Sequence, residues 1–79
     1  MIYEATADYA GTIGGEAILA VDAYEPIDGS DPVHVATKLA TAISGHPDED
    51  GWDSLLADHG WRRVGPWTDH GGYRTAAVA

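Results

Sequence analysis

The chain has 79 residues, 44% of them hydrophobic, no cysteine, and a net charge of −9 at pH 7 from thirteen acids against one Lys and three Arg. This length fits one domain with a thin core, and the missing thiols exclude disulfides and cysteine metal sites. The charge argues against direct contact with nucleic acid or an anionic membrane.

No apolar run reaches the roughly 18 residues of a membrane span. The opening Met1-Ile2-Tyr3-Glu4 lacks the basic and apolar regions of a signal peptide, so a cytoplasmic protein is expected. Phe is absent, and three Trp and four Tyr carry all the aromatic mass. The expected core is a few large rings among many alanines. So thin a core favours self-association, and a homodimer is one expectation.

Residues 2–9 alternate with period two: Tyr3, Ala5, Ala7 and Tyr9 on one face, Glu4, Thr6 and Asp8 on the other. Gly11-Thr12-Ile13-Gly14-Gly15 predicts a turn. Residues 16–25 predict a second strand, with Ala17, Leu19, Val21 and Ala23 on one face and Ile18, Ala20, Asp22 and Tyr24 on the other. The two strands form an expected hairpin. Pro26 to Ser30 reads as a loop. Asp31 as a cap and Pro32 at the first helical position then predict a helix from about Pro32 to Ser44. Its buried stripe is Ala36, Leu39, Ala40 and Ile43, with His34, Lys38 and Thr41 on another face. Gly45 and Pro47 end it.

Asp48-Glu49-Asp50 precedes a second short helix, from Gly51 to about Asp58, where carboxylates suit the helix dipole. Gly60 stops it. Residues 61–67 predict a third strand interrupted at Gly65-Pro66, residues 68–72 a turn, and residues 73–78 a fourth strand. The expected class is α+β, in the order β-β-α-α-β-β: a four-stranded antiparallel sheet with helices packed on one face. The whole of residues 1–79 forms a single small acidic domain.

A last hairpin symmetric about His70 sets Trp67 opposite Tyr73 and Val64 opposite Ala76. One face then holds Trp61, Arg63, Trp67 and Tyr73. The other holds Arg62, Val64, Arg74, Ala76 and Val78. Burying the first face makes the rings core. Burying the second leaves Trp61, Arg63, Trp67 and Tyr73 as a surface with the composition of a binding hot spot. A one-residue change of register exchanges the two.

Catalytic residues are not evident. The serines read as cap or surface residues, Gly14-Gly15 lacks the Lys-Ser/Thr of a phosphate loop, and so small a fold offers little concave volume. His34, His46, His59 and His70 show no zinc spacing. The loop Asp48-Glu49-Asp50-Gly51-Trp52-Asp53 lacks the spacing of an EF-hand and reads as a helix cap. No cofactor or metal is expected, and the protein is read as non-enzymatic.

The charge is uneven. Residues 1–58 hold twelve acids and Lys38; residues 59–79 hold Asp69 against Arg62, Arg63 and Arg74. The arginines are expected beside carboxylates of the N-terminal strands. The acidic surface is expected at Asp22, Glu25, Asp28, Asp31, Asp48, Glu49 and Asp50.

The segment Leu55-Leu56-Ala57-Asp58-His59-Gly60-Trp61-Arg62-Arg63-Val64-Gly65-Pro66-Trp67 resembles the helix-Gly-Trp-strand endings of small uncharacterised proteins from high-GC actinobacteria and their phages. The resemblance covers about a sixth of the chain. It implies a phage or mobile-element accessory protein that modulates a host protein, and assigns no residue a role. Three readings of the acidity follow. One is an interaction module for a protein with a basic surface. The second is a DNA mimic that inhibits a nucleic-acid-binding protein. The third is a soluble, salt-adapted domain of other function.

Overall fold

Alternation in the first two strands produces what it predicts. In the computed structural model, which describes residues 1–12 and 15–79, β1 (Ile2–Asp8) pairs antiparallel with β2 (Ile18–Ile27) in unbroken register from Ile2↔Tyr24 to Asp8↔Ile18. Ala5, Ala7, Leu19, Val21 and Ala23 are buried on one face, as the pattern requires. Ile13 and Gly14, the middle of the expected turn, lie outside the described residues.

The helix expected over residues 32–44 is instead a strand, β3 (Ser30–Ala42), paired antiparallel with β2. Two causes combine. Asp28-Gly29 makes a two-residue turn between the paired Ile27 and Ser30, with Gly29 at φ 74°. Asp-Gly between apolar runs is a strong hairpin signal. Val33, Val35, Thr37 and Thr41 are β-branched and favour the pleat. The apparent helical stripe comes from bulges: register shifts between Val21/Asp22 and Ala23/Tyr24 insert extra residues into β3. Val33, Ala36 and Leu39 therefore share a face at intervals of three, which imitates a helical period.

Pro26 lies past the end of β1, and Pro32 sits on the edge strand, where a missing N–H costs no ladder bond. Gly29→Ala is expected to cost about 1 kcal/mol through the left-handed backbone alone, because the space around it is open. Thermal melting that leaves the midpoint unchanged would contradict this account of the turn.

Helix α1 (Glu49–Asp58) is the single helix among the described residues. Asp48 caps it, accepting from the Gly51 N–H at 2.9 Å. Gly60, at φ 83°, ends it. Residues 61–67 do not form a full strand. They hold one bridge, Arg63↔Val78, and backbone bonds from Arg62 and Val64 to the C-terminal segment. The expected register about His70 is also replaced: β4 (Thr68–Asp69) pairs with β5 (Arg74–Ala77) through Thr68↔Thr75 and Asp69↔Arg74.

The architecture is thus α+β, a five-stranded antiparallel sheet of order β3-β2-β1-β5-β4 with one helix. The helix covers one face. Trp52, Leu55 and Leu56 pack on Ala5, Ala7, Leu19, Val21 and Val78, with Trp61 and Trp67 at the margin. Small alanines beneath large rings give the close contact that the composition suggests. No helix among the described residues is long and apolar enough to cross a membrane.

Candidate functional site

With a single helix among the described residues, packed on one face, the second face of the sheet is left without a covering helix. Alternation places Ile2, Glu4 and Thr6 there from β1, and Ala20, Asp22 and Tyr24 from β2. β3 adds His34 and Thr37, opposite Tyr24 and Asp22, and β5 adds Thr75, opposite Thr6. Glu4 and Asp22 stand directly across from each other on adjacent strands.

Asp22 is held in place. Its Oδ1 accepts from Thr37 Oγ1 at 2.7 Å and lies 3.0 Å from His34 Nε2. The His34 ring meets the Tyr24 ring edge-on at 5.4 Å. On the other side His70 stacks on Tyr73 at 4.9 Å, and its Nε2 lies 2.9 Å from Thr75 Oγ1. Between these two groups is a shallow recess of about 400 Å³ lined by Glu4, Thr6, Asp22, Tyr24, His70, Tyr73 and Thr75. Burial pushes the Tyr24 phenol above its ordinary 10.0, and the negative charges of Asp22 and Glu4 push it further. The recess is therefore a place of negative potential with aromatic walls.

The arginines lie elsewhere. The expectation that they sit beside N-terminal strand carboxylates is overturned. Arg63 grips Asp53 of α1 through two bonds of 2.9 and 3.1 Å, and Arg74 Nη1 reaches Glu49 of α1 at 2.8 Å. Arg74 also lies over the Tyr9 and Trp52 rings, 5.5 and 5.8 Å from their centroids. Its strand alternation points it to the helix side, together with Ala76 and Val78, and α1 supplies the nearest carboxylate.

Trp61, Arg63, Trp67 and Tyr73 are divided between the two faces. Trp61 packs on Tyr3 at 5.2 Å, and Trp67 meets Trp52 edge-on at 5.4 Å while its Nε1 donates to Asp53. Both rings are half-buried and tie the 61–67 segment to the helix, as Arg63 does. Tyr73 belongs to the open face. Neither expected division of the last hairpin holds, because residues 61–67 are not a regular strand: Ala76 and Val78 are buried while Val64 is exposed.

The acidic set falls in two places. Asp22, Glu25, Asp28 and Asp31 line the β2–β3 hairpin, whose tip extends beyond β1. Asp48 and Glu49 serve as cap and Arg74 partner at the start of α1, beside exposed Asp50. Among the described residues no three His, Asp or Glu side chains come together as a metal-binding group. The site residues that the sequence did not single out are Glu4, Tyr24, His34 and Thr37. Outward alternation could have supplied Glu4 and Tyr24, but His34 and Thr37 were hidden by the helical reading of β3.

No protein-family model, curated protein or solved structure matches this chain.

Proposed function

We propose that this protein is a non-enzymatic interaction module whose acidic hairpin and open sheet face receive a basic segment of a protein partner. One observation carries the reading: among the described residues the arginine ion pairs are Arg63 with Asp53 and Arg74 with Glu49 and Asp69, and none reaches Glu4, Asp22, Glu25, Asp28 or Asp31. Lys38 is the sole cation on that hairpin. Exposed Ile27 and Val33 accompany Glu25, Asp28 and Asp31 near its tip, adding apolar contact to the attractive charge. A field of this sign speeds encounter with a basic surface and weakens with salt.

The test is calorimetry with a peptide of alternating Arg and Ser. Binding is expected at low ionic strength and should weaken as salt rises. Joint replacement Glu25→Gln, Asp28→Asn and Asp31→Asn should lower the affinity by roughly tenfold. Equal affinity in that variant, or no binding at low salt, would count against the reading.

A further inference from the structure

We infer that the recess between Tyr24 and Tyr73 is a receptor for one arginine side chain of the partner. The inference rests on the interaction-module reading and names the group that is gripped. Two carboxylates directly opposite each other destabilise a sheet. Glu4 and Asp22 are such a pair. A locally unfavourable arrangement is found where function requires it, and a bound cation would turn this repulsion into attraction.

The geometry selects the cation. Thr37 and His34 converge on Asp22 Oδ1, so the side chain is oriented, and among the described residues neither its second oxygen nor the Glu4 carboxylate, both of residues that line the recess, has a hydrogen bond. Tyr24 and Tyr73 line the recess, and tyrosine rings attract a positive charge. Tyr73 is braced by its stack on His70, which is anchored in turn at Thr75. A planar guanidinium, with five donors and a face that stacks on tyrosine, fits two carboxylates between aromatic walls better than a point-charge ammonium. The recess has no Lys or Arg in its lining, and Arg63 and Arg74 are held on the helix side. None of the chain's three arginines lines the recess, so the arginine comes from another molecule. A second copy is disfavoured because it would bring another charge of −9 to an acidic face.

The experiment is an NMR titration with blocked Gly-Arg-Gly, Gly-Lys-Gly and Gly-citrulline-Gly, citrulline being the neutral isostere of arginine. The arginine peptide is expected to give saturable shifts at Glu4, Thr6, Asp22 and Thr75, and to lower the Tyr24 phenol pKa. The lysine peptide should bind more weakly and the citrulline peptide not at all. Glu4→Gln should weaken arginine binding by roughly tenfold, and Tyr24→Phe, which keeps the ring, should retain it. An equal response to citrulline, or silence at the recess, overturns the proposal. If the longer Arg-Ser peptide shifts only Glu25, Asp28 and Asp31, the recess is wrong and the module reading stands. If that peptide binds nowhere, both fall.

Discussion

Replacing Trp52 by alanine is expected to leave the chain largely unfolded at room temperature. Trp52 is 2% exposed and is the largest of the fully buried side chains. It stacks on Tyr9 at 5.6 Å and meets Trp67 edge-on. Its Nε1 donates to the His46 carbonyl at 2.8 Å, which draws the segment after β3 onto the helix. Truncating a buried tryptophan costs about 3–5 kcal/mol. A core in a domain of this size rarely supplies more than about 3–5 kcal/mol in total. Circular dichroism at room temperature should show loss of the folded signal. Trp52→Phe keeps most of the apolar area and should remain folded with a lowered melting point. A cooperative native-like transition in the alanine variant would mean that the core lies elsewhere.

The second largest effect is expected at Asp53. One carboxylate accepts from Arg63 Nε, Arg63 Nη2 and Trp67 Nε1, at 2.9, 3.1 and 3.0 Å. It is the clasp between α1 and residues 61–67. Asp53→Ala should cost about 2 kcal/mol, near the lower end for hydrogen bonds to charged groups because both partners are about a third exposed. Burial by itself pushes the Asp53 carboxyl up. The hydrogen bonds from Arg63 and Trp67 and the Arg63 charge outweigh it and hold the group below its ordinary 3.8.

The sign of the pH dependence follows from that lowered value. A carboxyl that binds protons less readily when folded stabilises the fold above 3.8, and the contribution fades as pH falls through the lower folded value. The wild type should therefore lose stability below about pH 4 more steeply than Asp53→Asn. Denaturant midpoints of the two proteins, measured from neutral pH down to about pH 3, should converge at the acid end. Parallel curves would show that Asp53 acts through packing and not charge.

Legibility along the chain tracked the regularity of the pairing. β1 and β2 keep an unbroken register, so the alternation of Ala5, Ala7, Leu19 and Val21 is visible in sequence and true in the fold. Helix α1 was legible too, because Asp48 and Gly60 mark its ends locally. β3 was not, since its bulges replaced alternation with steps of three, and the pattern from Ala36 to Ile43 matched a helix equally well. The rings Trp61 and Trp67 were recognised as either core or surface. Strand alternation does not place them, because residues 61–67 form one bridge and no regular ladder.

The amino-acid sequence by itself determined the quantities that do not depend on partners. These are the net charge, its concentration in residues 1–58, the alternation that sets Glu4 apart from Ala5 and Ala7 and Asp22 and Tyr24 apart from Leu19 and Val21, and the capped helix. Only the tertiary structure decided which of these groups meet. That Glu4 faces Asp22, that Arg63 and Arg74 are engaged by α1, and that one sheet face is left without a covering helix among the described residues all depend on register and packing between distant segments. A slip of one residue in β1 would turn its side chains to the opposite face without altering a single local preference. Local chemistry sets which face a side chain prefers; the burial of Trp52, Leu55 and Leu56 against the sheet selects the one register in which those preferences are satisfied together.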